Sequence, residues 1–433
     1  MIKIVELNAN TTLNDPELHR ILNRNPAPDA QIEKTVKGIL ADIRTEGYAK
    51  ALEYAQKFDG LTTPLRASVD EIKALALECD PEVQLAIRTA ARKVREFHEH
   101  QKEKSWKFTG KQGEVLGQRI RPMKRVGLYV PGGAGVYPST VIMNAVPALV
   151  AGVEEFVVVS PMAKGMHPSV AYALDYLGVA QEVYKIGGAQ AVGLMAYGSR
   201  ESQGMFIQGV DKIVGPANVY AALAKKEVFG TVDIDMIAGP SEILVIFDET
   251  ADPDWVAADL LSQAEHGSGF EAAIGVTTSM QAAEWVKECV FEQVEKSPKK
   301  ELLKTTLEQF GRIFVVESQD EMVRVSDLIA PEHLEIICQN ADDLSEKIQN
   351  AGAIFVGPWS SEPVGDYFAG PNHVLPTCGT ARFSNPLGVY DFYKRTSIIK
   401  YTQEAIQMHG AKIAALADAE GFVHHADAVR KRL

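Results

Sequence analysis

From Arg125 onward the chain repeats one unit four times: a short apolar run, a glycine-bearing turn, then a helical pattern. RVGLYV (125–130) passes through PGGAGVYPST into the apolar stretch 140–152, and EFVVVS (155–160) precedes a helical pattern near 168–177. EVYKI (182–186) leads through GGAQ into 190–198, and DKIV (211–214) leads through GPAN into 218–228. Strand and helix in strict alternation predict a parallel sheet covered by helices. The glycine turns also set backbone N–H groups at helix N-termini, where a phosphate or another anion is held well. A second α/β block follows: IDMIAGPSEILVIF (234–247) is strand-rich, Asp252-Pro253 opens a helix that Gly267 stops, and AAIGVTT (272–278), RIFVV (312–316), LEII (334–337) and AIFV (353–356) read as strands. The expected fold is α/β, with two Rossmann-like parallel-sheet domains and small helical segments at the N- and C-terminal ends.

Upstream, 15–57 has helical periodicity that Asp15-Pro16 opens and Asn25, Pro26 and Pro28 interrupt. The stretch 69–104 reads as a long charged helical region with a solvated face, 199–209 as a polar surface loop, and 403–416 and 421–433 as a small helical tail. A length of 433 residues allows two to four folding units at ~150 residues per domain. A net charge of −13 argues against a nucleic-acid or anionic-membrane binder. The most apolar stretch, 141–153, contains Asn144 and Pro147 and is too short to span a bilayer, and the N-terminus MIKIVELNANTTLNDPELHR has no signal-peptide pattern. Four cysteines far apart, without a CxxC pair, fit free thiols in a reducing cytoplasm.

Chemistry concentrates in EPVGDYFAGPNH (362–373), where two glycines and two prolines interrupt any regular element and predict a shaped loop. Asp366 and His373 are candidate metal ligands there, and Glu362 suits a cationic or donor-rich substrate. Gln263 and His266, three apart at the end of one helix, point to the same side. Glu332-His333 can divide acid–base work, one activating water and the other carrying protons. Glu420 and His425 lie on the tail, where a solvated face is the plain reading. Each group taken singly has such a bland alternative. Dinucleotide fingerprints fail: GSGFEA (267–272) follows a helix and GAGVYP (133–138) ends in proline. Any dinucleotide must therefore use non-standard turns.

YVPGG (129–133), GAQAV (188–192), VDKIVGP (210–216), AGPSEILVI (238–246), LLSQAEHG (260–267), APEHLEI (330–336) and GDYFAGPNHVLPTCGTARF (365–383) occur in that order. The series resembles the histidinol dehydrogenase family, zinc-dependent enzymes that make histidine from histidinol by two NAD-linked oxidations, and it covers the chain from about residue 30 to its end. The resemblance implies one Zn2+ per subunit held by Gln263, His266, Asp366 and His425, the last supplied by the other subunit of a homodimer with shared sites. It implies Glu332 and His333 as the acid–base pair. Substrate binding falls to Ser139, Ser241, Glu362, His373 and Glu420, together with Gln263, His266, His333, Asp366 and His425. NAD contacts fall to Tyr129, Gln190 and Asn218. The implied organisation is an N-terminal helical arm (1–27), a first α/β domain (28–128 plus 242–387) carrying the metal and acid–base residues, a second, NAD-binding α/β domain (129–241), and a C-terminal helical tail (388–433) reaching the partner subunit. The enzyme expected is a cytoplasmic L-histidinol dehydrogenase working through histidinaldehyde with two NAD and no nucleic-acid or membrane partner.

Three departures from the family pattern stand out. Ala217 replaces a glycine before the cofactor asparagine, Gly-Ser-Gly-Phe-Glu271 follows His266 where a glutamine is usual, and 199–209 is longer than expected. They leave open a divergent member that oxidises another small alcohol, such as a sulfonated diol. Glu362 opposes that reading, because a sulfonate would want a cation there. A binding protein without activity is the other alternative, and the intact Glu332-His333 pair opposes it.

Overall fold

A computed structural model describes residues 2–8, 15–24, 29–132, 135–162, 165–200 and 206–433. Two six-stranded sheets carry the architecture. In the first, the strands run in the order Lys3–Glu6, Gly311–Val315, Ala272–Thr277, Glu242–Phe247, His333–Ile337 and Ala353–Val356, all parallel. In the second the order is Asp233–Ile234, Lys212–Val214, Arg125–Tyr129, Glu155–Val159, Val183–Tyr184 and Arg66–Ala67, with only the last pairing antiparallel. Central strands such as Glu242–Phe247 and Ala272–Thr277 are buried along their whole length, as expected when helices cover both faces of a parallel sheet. The alternation of strand and helix thus delivers the α/β fold expected from it.

The chain ends depart from expectation. The arm 1–27 begins with the strand Lys3–Glu6, which joins the first sheet before the helix Pro16–Leu22. An isolated edge strand whose partner lies three hundred positions away leaves no local pattern. The expected break at Asn25, Pro26 and Pro28 lies outside the described residues, as do Gly133 of the first glycine turn and 201–205 of the 199–209 loop. What is described of that loop holds two short strands, Ser199–Arg200 and Phe206–Ile207, paired antiparallel.

The segment 28–128, expected with the first sheet, packs largely on the second. The helices Ala30–Glu46 and Tyr48–Asp59 lie against Gly188–Tyr197, and the former also against Val219–Val228. The stripe Val36, Ile39, Leu40 and Ile43 needs an apolar surface and finds Val192, Leu194 and Met195. Gly193 lets the helices close up, since a Cβ there would stand 3.1 Å from Leu40 and 3.2 Å from Ile43. The charged region 69–104 is two helices, Val69–Leu77 and Pro81–Glu99, and the Asp80 side chain caps the second at the N–H of Glu82 (2.8 Å).

The tail 388–433 is not wholly helical. Tyr393–Lys400 is a strand, paired antiparallel along its full length with Val115–Pro122, which in turn pairs with Trp106–Thr109. Trp106–Thr109 is exposed throughout and Val115–Pro122 largely half-exposed, so no apolar alternation marked this sheet in the sequence. The helices Gln403–Ala419 and Val423–Arg430 follow and pack chiefly on each other. Among the described residues no helix is long and apolar enough to cross a membrane.

Candidate active site

Glu332 and His333 stand where the chain enters the strand His333–Ile337, between Glu242–Phe247 and Ala353–Val356. The helix Gln319–Ile329 ends at Ala330 in a left-handed conformation (φ 50°), and Pro331 turns the chain into the sheet. His333 Nδ1 lies 3.3 Å from the Glu242 carbonyl, and because a carbonyl only accepts, Nδ1 carries the proton. His333 Nε2 then faces Asp366 Oδ1 at 3.3 Å. Two acceptors cannot share that gap without a proton or a cation between them. Glu332 lies 4.0 Å from Nδ1 of His333, and the Ser241 hydroxyl hydrogen-bonds its carboxylate.

The segment 362–373, expected as a loop, is instead a helical turn, Glu362–Val364, widening into a π-type turn, Gly365–Ala369. The wide turn aims Asp366 at His333, and Gly365 permits it, since a Cβ there would meet the Phe355 ring at 2.4 Å. The Ser262 hydroxyl donates to Glu362 (3.1 Å), and the Glu362 N–H donates to the buried Glu335 (2.6 Å). His373 donates from Nδ1 to the Asp366 carbonyl oxygen (3.0 Å), leaving Nε2 as an acceptor. Asn372 Nδ2–H donates to the Met143 carbonyl, one turn along the helix Pro138–Ala151 from half-buried Ser139.

Gln263 ends the helix Pro253–Ala264, and its amide Nε2 lies 2.9 Å from His266 Nδ1. Its Oε1 is buried with no hydrogen-bond partner. An orphaned buried carbonyl is costly. Together with His266 and Asp366 it forms a donor set that suits a divalent cation, so the residues present fit the implied zinc. Burial lowers the pKa of His266, favouring the neutral, ligating imidazole. Among the described residues, His333, Glu362 and Asp366 also offer donor atoms within 4.8 Å of one another, a candidate metal site overlapping the expected ligands at Asp366. The carboxylate of Glu271, at one of the departures, accepts the N–H groups of Ser268 (2.8 Å) and Gly269 (2.9 Å) and braces the turn behind His266.

Crowded carboxyls dominate the electrostatics. Burial pushes Glu332 and Glu362 up to about 7 and Glu335 up to about 9. Burial alone would lower His333, but Glu332, Asp366 and Glu362 raise it to about 9. Asp366 would also rise on burial, but the hydrogen bond and charge of His333 hold it low. A raised carboxyl destabilises the fold as pH climbs from its unfolded value through about 7. The raised His333 stabilises fully below its unfolded value and loses that contribution as pH climbs through about 9. Both act in one direction, so the metal-free protein is expected to melt at a lower temperature at pH 9 than at ~pH 6, and saturating Zn2+ is expected to reduce the difference. Melting curves of chelated and zinc-loaded protein check this, and equal pH slopes in the two forms would refute it.

Beside the second sheet lies a cavity of about 660 Å3 lined by Tyr129, Gly132, Gly187, Gly188 and Asn218, among others. Gln190 lines an adjoining one of about 360 Å3, sharing Gly188 and Asn218. The cavities suit a dinucleotide in size. The glycines are needed there: a Cβ on Gly132 would stand 2.6 Å from the Pro161 carbonyl. The Gly188 N–H at the mouth of the helix Gly188–Tyr197 donates to the Tyr129 hydroxyl (2.9 Å), and Asn218 caps the helix Val219–Val228. Ala217 strains nothing in the backbone: Ala330 and Cys378 are the non-glycine residues with positive φ among those described.

The protomer thus brings together Ser241, Gln263, His266, Glu332, His333, Glu362, Asp366 and His373. It does not bring in Glu420 or His425, both exposed on the C-terminal hairpin. Sequence reasoning missed Glu242, Glu335 and Arg24, although a carboxylate inside EILVIF or LEII, each a buried strand, was a visible signal.

A family model described as histidinol dehydrogenase matches residues 22–433. The chain is 49% identical over 403 residues to histidinol dehydrogenase of Geobacillus kaustophilus (strain HTA426), covering 92% of this chain and 93% of that protein. It is 48% identical over 403 residues to the Bacillus subtilis (strain 168) enzyme, covering 92% of each. A crystal structure of histidinol dehydrogenase from Elizabethkingia anophelis superposes with a TM-score of 0.91 at 35% identity, over 100% of this chain and 98% of that one.

Proposed function

This chain belongs to the histidinol dehydrogenase family, and from that premise we propose that the cleft around His333 oxidises L-histidinol to L-histidine by way of histidinaldehyde. Its activity is that of a histidinol dehydrogenase, an NAD-dependent oxidoreductase of histidine biosynthesis. The observation that supports the residue assignment is the convergence of His333, Glu332 and Asp366, with His266, the contact of Gln263, in charge range of Asp366 and His333.

Gln263, His266 and Asp366, with His425 of the partner subunit, would hold zinc, which when bound would supply a template that orients the substrate. Tyr129, Gln190 and Asn218 line the two adjoining cavities and would hold NAD, which would supply the hydride acceptor for each oxidation. The protein's own groups move the protons. His333 takes the proton of the substrate hydroxyl, and of the gem-diol in the second oxidation, at Nε2, while its Nδ1–H stays on the Glu242 carbonyl. Glu332, its pKa brought near neutrality by burial, takes a proton from the water that adds to the aldehyde. Glu362 and His373 hold the imidazole of the substrate: the Nε2 of His373 is free to accept, because Nδ1 is spent on the Asp366 carbonyl. Ser139, Ser241 and Glu420 complete the substrate contacts. A sulfonated diol is disfavoured, since the Asp366 carboxylate, held ionised by His333, lies against Glu362 where a sulfonate would want a cation. A cytoplasmic setting suits the free thiols Cys79, Cys289, Cys338 and Cys378. NADH formation from L-histidinol, abolished by a chelator and restored by Zn2+, tests the whole; turnover that survives complete zinc removal would refute the metal assignment.

A homodimer with shared sites is part of the same reading, and the hairpin supports it: it follows the strand Tyr393–Lys400 and carries Glu420 and His425 exposed to solvent. Exposed Leu416, Phe422 and Val423 give it an apolar surface to bury. His425→Ala and Asp366→Asn subunits, each inactive alone, are expected to regain about a quarter of wild-type turnover when unfolded and refolded together, because half the dimers are mixed and carry one intact site of two. No recovery in demonstrably mixed dimers would exclude the shared site.

A further inference from the structure

We propose that the buried ion pair of Arg24 and Glu242 is a positioning device for the acid–base residues Glu332 and His333. The proposal rests on the catalytic reading above.

Glu242 is fully buried (0% exposed) and Arg24 nearly so (4%). Arg24 arrives from the N-terminal segment and donates from all three guanidinium nitrogens. Nε donates to the Phe270 carbonyl (3.1 Å), Nη1 to that of Ile21 (3.0 Å), and Nη2 to that of Pro240 (2.8 Å) and to the Glu242 carboxylate. Glu242 then touches the acid–base pair at three points. Its Oε1 accepts the Glu332 N–H (3.1 Å), its own N–H donates to the Glu332 carboxylate (3.3 Å), and its carbonyl accepts from His333 Nδ1 (3.3 Å). The Cys378 N–H donates to the same Glu242 carboxylate (2.9 Å).

Two facts point beyond ordinary packing. A hydrophobic pair of equal volume would serve the fold as well or better than a buried ion pair. The non-glycine residues with positive φ among those described, Ala330 (50°) and Cys378 (54°), both flank this cluster: one leads into Pro331-Glu332, the other presents its N–H to Glu242. Backbone strain of that kind persists where the surroundings hold a functional geometry. With the side chain of Glu242 changed, the strand entrance at Glu332 loses its anchor, and a small displacement of acid–base groups is costly in rate.

Glu242→Gln tests this. The expected result is a fall in kcat for L-histidinol of about tenfold to a hundredfold, with KM for L-histidinol within about threefold and zinc content unchanged. An unaltered kcat overturns the proposal, and so does loss of zinc or a KM that carries the whole effect, since a merely structural role would do that. The double variant Arg24→Met/Glu242→Met separates stability from positioning. A melting temperature at or above wild type with kcat still depressed supports the proposal; kcat restored along with stability overturns it. Failure of both variants to fold also overturns it in favour of a structural role. Glu332→Gln and His333→Asn, measured alongside, report on the catalytic reading itself: full turnover in these would sink that reading, whereas their failure beside a fully active Glu242→Gln would sink only the positioning role.

Discussion

Asp366→Asn is expected to strip the enzyme of zinc and of turnover together. Asp366 touches His333 through its carboxylate and His373 through its carbonyl, and its charge reaches His266, the contact of Gln263. The amide of asparagine keeps the shape but loses the anionic oxygen a divalent ion needs. Zinc affinity is expected to fall by well over about 100-fold, since the loss of mere outer-shell partners already costs about 10- to 100-fold. His266→Asn is expected to behave alike. Metal analysis by mass spectrometry beside an NADH assay checks it: a variant that turns over normally while holding no zinc would overturn the ligand assignment.

His333→Asn is expected to part the two quantities. The residue lies within reach of Asp366 but is proposed as the base, so zinc content should stay at its wild-type level while kcat drops by about 100- to 10,000-fold, the usual worth of a positioned acid–base group. Single-turnover measurements of NADH formation would show the loss in the chemical step; a turnover number equal to wild type would end the role assigned to His333.

Much of this was legible in the chain. The strand-and-helix alternation from Arg125 points to both sheets because their central strands are mostly apolar and because the four strand-to-helix turns between Tyr129 and Val219 carry a glycine. The spacing of Gln263 and His266 put them on one side of a helix end, and the structure has them in contact at 2.9 Å. What stayed hidden has physical causes. Val115–Pro122 and Tyr393–Lys400 lie partly open to solvent, so their residues obey no alternation and their pairing cannot be read locally. The wide turn Gly365–Ala369 brings Gly365 flush against Phe355, a packing contact that no periodicity in the segment announces. Glu242 looked like one more charged residue after a Gly-Pro-Ser turn; that Arg24 meets it is a tertiary fact with no sequence signal.

The first sheet has a consequence for biogenesis. Lys3–Glu6 pairs only with Gly311–Val315, and His333 enters between Glu242–Phe247 and Ala353–Val356. A ribosome releases the opening strand early and its neighbour long afterwards, so the unit built on 125–234 can collapse while that strand still waits. Closing so long a loop is entropically uphill until its last strands emerge. A nascent chain truncated before residue 353 therefore exposes the raw edge of His333–Ile337, the stage at which holdase chaperones would have most to grip.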